Sequence, residues 1–178
     1  MPAAVQRAAE KKGLPVGEPK DHALGRSRGG FSTKLHLAVD RHGIPLGLTL
    51  TAGQKLEFHT CPQLLDSVAV PRARGGRPRR RPRVLVGDKG YNAKQLLAYL
   101  HERGIQTVIP RYSNQKTDPT FDRATYRQRN IIERCVGWLK NFRRLATRFE
   151  KYAVTFLGIA KIAVIRQLLR LFDSSNRT

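Results

Sequence analysis

From Thr33 to Val39, Leu35, Leu37 and Val39 alternate with Lys34, His36 and Ala38. After Asp40-Arg41-His42-Gly43, a second alternation sets Ile44, Leu46, Leu48 and Leu50 on one face. Successive strand side chains point to opposite faces, so two such runs joined by a short Gly-ending turn predict an antiparallel hairpin. Glu57 to Val70 reads as a short helix with Pro62 in its first turn, where a missing N–H costs little. Val84-Leu85-Val86-Gly87 is a short buried-type strand ending at Asp88. Ala93 to Arg103 is helical, stopped by Gly104, and Ile105 to Ile109 is a strand ended by Pro110. A polar loop runs from Arg111 to Pro119.

The last third is expected to be helical, with one helix from about Arg123 to Glu150 and another from about Val154 to Phe172. In the first, Ile132, Cys135, Val136, Leu139, Phe142, Ala146 and Phe149 share a face. In the second, Leu157, Ala160, Val164, Leu168 and Leu171 form one apolar stripe, with Ile162, Ile165, Leu169 and Phe172 beside it. That breadth predicts packing on a sheet or another helix. Hairpin, helix, strand, helix, strand and long helices make a mixed α/β order without internal repeats.

Composition adds a partner. Lys plus Arg number 34 against 13 Asp plus Glu, a formal charge of 34 − 13 = +21. Such an excess points to a polyanion, because each phosphate neutralised releases condensed counterions. Arg72 to Arg83 holds seven arginines among Gly and Pro, a loop and a cation cluster at once. Arg79, Arg80 and Arg81 are its candidate DNA contacts. Residues 1–30, rich in Gly, Pro, Lys and Arg, read as a basic flexible arm ahead of a domain over 31–178. Cys61 and Cys135 lack zinc-type spacing and read as reduced core thiols. No secretory pattern opens Met1–Gly13, and the apolar stretch Ala153–Ile165 is broken by Lys161 and too short for a bilayer. A cytoplasmic protein with no membrane partner is expected.

On a wheel at about 100° per residue, Tyr126, Arg129, Glu133 and Lys140 fall within about 60° of one another, with Arg144 close by. One carboxylate thus shares a face with a phenol, a guanidinium and an ammonium. The plain alternative is an exposed face with an Arg129–Glu133 ion pair of little worth. Asp88, at the C-terminal end of a strand, is placed to bind a metal ion, because the strand fixes the side chain and the loop leaves it open. It equally suits a helix N-cap or turn. Asp40 suits a hairpin turn. Asp118 and Asp122 flank a loop and a helix start, and no phosphate-cradling Gly loop is present.

Tyr126-x2-Arg129-x3-Glu133-x6-Lys140 resembles the Y-R-E-K pattern of bacterial insertion-sequence transposases. Residues 126–134 and 139–148 around it, and Asp-His-Ala-Leu-Gly-Arg-Ser-Arg-Gly-Gly (21–30), Thr-Lys-Leu-His-Leu (33–37) and Val-Gly-Asp-Lys-Gly-Tyr (86–91), look like the same group in the same order. The resemblance runs from about Asp21 to Leu171. It implies a DDE transposase with an RNase H-like core, in which two aspartates and a glutamate hold two Mg²⁺ (or Mn²⁺) ions. It matches Asp88 to the second aspartate and Glu133 to the glutamate, and Tyr126, Arg129 and Lys140 to contacts on transposon-end phosphates. Arg144 joins that basic face.

The family's first aspartate lies upstream of the Asp-His-Ala-Leu-Gly segment, and Met1 to Lys20 contains no aspartate. The expectation is therefore an α/β core lacking its first strand, from a truncated or split transposase. Its partners would be duplex DNA (transposon ends and target) and an upstream fragment or a second copy, with both metals bound only in the complete enzyme. The rival readings are a non-catalytic nucleic-acid-binding protein and a nuclease of the same fold.

Overall fold

The computed structural model describes residues 15–27, 30–116 and 118–175. The expected hairpin is present as β2 (Gly30–Val39) and β3 (Pro45–Ala52), in a three-stranded sheet of order β1-β2-β3. Its turn is built by Asp40, whose carboxylate accepts from His42 N at 2.8 Å and Ile44 N at 2.9 Å. Gly43 completes the turn at φ +82°, a conformation that side chains resist. Strand β1 (Gly25–Ser27) pairs antiparallel with β2, Gly25 opposite Ser32. Ordered structure thus begins before Phe31. Such a short strand carries no alternation to read, and its Gly-Arg-Ser composition resembles a loop.

Helix α1 (Cys61–Ser67), preceded by a 3₁₀ turn at Glu57–His59, has Pro at its first turn as expected. Strands β4 (Val84–Val86) and β5 (Gln106–Val108) pair in parallel, joined through α2 (Lys94–Glu102). Gly104, at φ +63°, ends the α2 connection. Cys61, Leu65, Leu96, Leu100 and Ile105 form a core, with Phe58, Leu85 and Tyr91 packed against it. Both cysteines are buried thiols, and burial pushes the Cys61 thiol up to about 11.

The single helix expected over Arg123–Glu150 is instead three: α3 (Arg123–Arg127), α4 (Asn130–Lys140) and α5 (Arg143–Thr147). At the first break Arg129 N bonds Tyr126 O and Ile132 N bonds Arg129 O. At the second, Asn141 N bonds Trp138 O and Phe142 N bonds Leu139 O. These three-residue spacings tighten the chain into 3₁₀ turns and rotate the next helix about its axis. Cys135 and Leu139 are buried as expected, but Ala146 is exposed and Phe149 is 62% exposed, carried off the apolar face by the second break.

Helix α6 (Ala153–Ser175) buries Ala153, Phe156, Ala160 and Ala163. The second stripe expected to pack does not, since Ile162, Ile165 and Leu169 are all more than half exposed. The side chains of Leu171 and Phe172 lie outside the described residues. No helix of the described residues is long and apolar enough to cross a membrane.

The chain divides into two compact units. One draws on Met1–Leu35, Thr49–Gln54 and Trp138–Thr178, the other on His36–Leu48 and Lys55–Gly137. Of the arm expected over 1–30, residues 1–14 fall outside the described residues, whereas 15–27 are held within the first unit. Glu18 accepts from Ala153 N at 2.8 Å and Val154 N at 2.9 Å, supplying the N-terminal acceptors of α6 from 135 residues away. It also pairs with His22 at 2.7 Å. Long-range capping by a Glu leaves no local signature, so composition alone suggested an arm.

Candidate functional site

Within the second unit, β4 delivers the chain to Asp88 through Gly87, whose N–H donates to Val108 O at 3.3 Å. Asp88 is in extended geometry, and its side chain accepts from Gly90 N at 2.8 Å, capping a 3₁₀ turn at Lys89–Tyr91. The turn-cap reading of Asp88 is therefore real, and one carboxylate oxygen is engaged in it. The turn carries the carboxylate outside the C-terminal end of a parallel pair, where α/β sheets place their ligands.

A second acid stands beside it. A Cβ at Gly90 would lie 2.7 Å from Glu57 Oε2 and 3.1 Å from Asp88 Oδ1, so glycine leaves the space that these two carboxylate oxygens border. Burial first, then the charges of Glu57 and Asp88, push the Tyr91 phenol well above its ordinary range. Glu57 was not a candidate in the sequence. It reads there as the start of a helix, and the packing of two short 3₁₀ turns that brings it to Asp88 has no periodicity to reveal it.

Asn92 ties this loop to the one after β5. Its Nδ2 donates to Pro110 O at 3.0 Å and to Gln115 Oε1 at 2.9 Å. Further along, Asp122 caps α3 by accepting from Thr125 N at 2.9 Å. Phe121 and Tyr126 meet with ring centroids 5.3 Å apart, and the Arg129 guanidinium lies 5.7 Å from the Tyr126 ring centre. Arg129 in turn forms an ion pair with Glu133 in the first turn of α4. Helix α4 is anchored in the same unit, where Cys135 Sγ contacts Gly43 O at 3.4 Å and Ile131 packs against Gly43.

Tyr126, Arg129 and Glu133 are thus brought together as a linked row, although Arg129 sits in the 3₁₀ turn rather than on a continuous helix. The ion pair that formed the plain reading is present, and with the Glu133 side chain 58% exposed it contributes at most about 1 kcal/mol. Lys140 is in the last turn of α4 and Arg144 on α5, both in the first unit. Arg144 is engaged there, its Nε donating to Glu150 at 2.7 Å. Asp40 is occupied by the hairpin turn.

The arginine loop is fixed at its ends and exposed between them. Val70 and Arg79 exchange backbone hydrogen bonds of 2.9 and 2.8 Å, and Arg81 donates to Arg103 O at 2.7 Å. Residues 71–81 are all exposed. Arg80 carries its charge outward, while Arg81 spends part of its donor set on the end of α2.

Oxygen donors of the kind that suits Mg²⁺ are present at Asp88, Glu57 and Glu133, and that ion needs only one or two carboxylates beside waters and substrate phosphates. Among the described residues, however, no group of three or more His, Cys, Asp or Glu stands close enough to hold a metal ion. The neighbouring pair Asp88 and Glu57 fits the ion in kind and is short in number.

The chain matches the transposase DDE domain family over residues 6–168, a family that generally uses divalent metal ions. It is 32% identical over 162 residues to a protein named for the transposase of insertion sequence element IS402 of Burkholderia cepacia, covering 89% of this chain and 74% of that protein. It is 29% identical over 141 residues to one named for the transposase of insertion sequence element IS6501 of Brucella ovis, covering 79% of this chain and 100% of that protein. No solved structure gives a significant match.

Proposed function

Because this chain belongs to the transposase DDE domain family, we propose that it supplies Asp88 and Glu133 to a metal-dependent site that cleaves and joins DNA at the ends of an insertion sequence. The scaffold in this reading is an RNase H-like core. The first aspartate of such a core has no match in Met1–Lys20. The observation that carries the reading is Asp88, held by β4 in the same unit as the Tyr126–Arg129–Glu133 row.

Asp88, with one oxygen held by Gly90 N–H, presents the other to a cation. Glu133 does the same once Arg129 turns toward a phosphate. Two Mg²⁺ (or Mn²⁺) ions bound there would activate a water or a DNA 3′-hydroxyl and steady the leaving oxygen. Arg129 and Tyr126 then position the end phosphate, and Lys140 and Arg144 are further candidate DNA contacts. Titration with Mn²⁺ of the chain fused to an upstream strand carrying the first aspartate tests the assignment. Asp88→Ala and Glu133→Ala should each weaken Mn²⁺ binding without weakening duplex binding. Unaltered Mn²⁺ binding in both variants would remove these residues from the site.

A non-catalytic nucleic-acid-binding protein is the second reading, favoured by the incomplete donor set and by the arginine loop. A nuclease of the same fold differs only in refusing a DNA 3′-hydroxyl as nucleophile. All of these readings share a DNA partner, bound in the bacterial cytoplasm. Replacing Arg79, Arg80 and Arg81 together by Ala should weaken duplex binding for every sequence and flatten the dependence of log Kd on log salt by about 2–3, near 0.9 for each phosphate no longer neutralised. Arg81 contributes least to that change, because it is partly bound to Arg103 O. An unchanged slope would make the loop a solvated connector.

A further inference from the structure

Helix α5 ends at Arg148, whose left-handed backbone at φ +45° turns the chain back on itself. Phe149 and Glu150 thereby return to the first turn of α5. The Arg143 guanidinium lies 5.8 Å from the Phe149 ring centre. Arg144 donates from Nε at 2.7 Å and from Nη2 at 2.6 Å to the same Glu150 oxygen, Oε1. Thr147 Oγ1 donates to Arg143 O at 2.8 Å and ties the end of the helix to its start.

The Arg144–Glu150 pair is unequal. The Glu150 side chain is 3% exposed and that of Arg144 is 64% exposed. A buried carboxylate therefore grips a guanidinium that meets water. Glu150 Oε2 is buried and has no hydrogen-bond partner among the described residues. An oxygen left so costs stability, and a second contact from Arg144 would remove the cost. Both bonds converge on Oε1 instead, and the Nη1 donors make no bond among the described residues. A carboxylate in water can swing with its partner, as Glu133 can at 58% exposed. One packed in the interior cannot, so its arginine is held to one orientation.

An arginine fixed before binding loses little freedom on meeting a phosphate, and its planar fork matches phosphate geometry. We propose that Glu150 is a positioning residue for DNA, holding the Arg144 guanidinium so that its Nη1 edge meets a backbone phosphate of the duplex. The inference rests on the reading of the chain as DNA-binding. The same carboxylate acts on the charge of Arg148, so stability alone does not separate a positioning role from a structural one.

Fluorescence anisotropy with a blunt duplex over a range of salt concentrations tests it on the parent chain, Arg144→Ala, Glu150→Ala, the double variant and Arg144→Lys. By charge alone, removing a carboxylate beside a polyanion tightens binding, whereas positioning gives the opposite sign. Glu150→Ala should weaken binding about fivefold, the scale of ordering one rotamer-rich side chain on contact. Its dependence on salt should be kept, because every cation remains. Arg144→Ala should lower the slope of log Kd against log salt by about 0.9, the share of one phosphate. Adding Glu150→Ala to Arg144→Ala should weaken binding no further. Arg144→Lys, which keeps the charge without the fork, should behave like Glu150→Ala. A Glu150→Ala chain that binds as tightly as the parent, or more tightly, overturns the inference. So does a Glu150→Ala loss that persists in the Arg144→Ala background, which marks a structural role, and so does an Arg144→Lys chain that binds like the parent. An unchanged slope in Arg144→Ala takes Arg144 out of the interface and leaves the DNA reading standing. A parent chain that binds no duplex removes both.

Discussion

Arg148→Ala is expected to destabilise the first unit by about 3 kcal/mol, because hydrogen bonds to a charged group contribute roughly 1.5–3 kcal/mol and combine less than additively. The Arg148 guanidinium donates to His22 O, to Ala23 O and to Thr33 Oγ1, and lies over the Phe156 ring at 5.4 Å. It thereby joins the chain just ahead of β1 to β2 and α6. Ala23 is 2% exposed, and without the guanidinium its buried carbonyl keeps the Thr33 hydroxyl, at 2.6 Å, as a donor but loses its charged partner. Desolvation holds the Arg148 pKa below its ordinary value, partly offset by Glu18, Glu150 and Asp21.

Arg148 also sits at φ +45°, where a side chain costs roughly 1–2 kcal/mol and glycine does not. Arg148→Gly should therefore be less damaging than Arg148→Ala by about 1 kcal/mol, although both lose the same bonds. Urea denaturation of the three proteins is the check. An alanine variant as stable as the parent would mean that the guanidinium contacts contribute nothing net. A glycine variant worse than alanine would mean that the left-handed conformation carries no strain.

The periodic parts of this fold were legible. The hairpin, the β4–α2–β5 unit and the start of α6 can be read from alternation, a Gly stop and apolar spacing. The elements that escaped have a common cause. Arg148 and Glu18 act on backbone groups more than a hundred positions away, and nothing local in the sequence marks a donor or acceptor for a distant carbonyl or N–H. The breaks at Gln128–Arg129 and Asn141–Phe142 contain neither Gly nor Pro, so a single long wheel over-extended the apolar face to Ala146 and Phe149. At the candidate site, Asp88 and the Tyr126–Arg129–Glu133 row were readable because strand ends and short helical spacings are local. Glu57 was not, because its neighbour Asp88 is reached only through tertiary packing.

Strand transfer is expected to be absent from the 178-residue chain alone and to appear when a segment carrying the first aspartate on a strand is fused upstream. A two-metal site that lacks the carboxylate bridging its ions cannot fix both for in-line attack. The described residues offer no group of three ligating side chains to compensate. In the active fusion, Asp88→Ala and Glu133→Ala should each lower the rate by about 10³-fold or more, the scale seen when one member of a catalytic set acting as a unit is removed. Assays with Mg²⁺ and with Mn²⁺, run on the chain alone and on the fusion, separate the outcomes. Activity of the chain alone that is lost in Glu57→Gln would identify Glu57, beside Asp88 across Gly90, as the completing carboxylate. Loss in Asp40→Asn would identify Asp40, at the expense of the turn bonds that it now accepts from His42 and Ile44. A fusion that binds end DNA and Mn²⁺ yet joins nothing would take Asp88 and Glu133 out of the reaction and leave DNA binding as what the chain does.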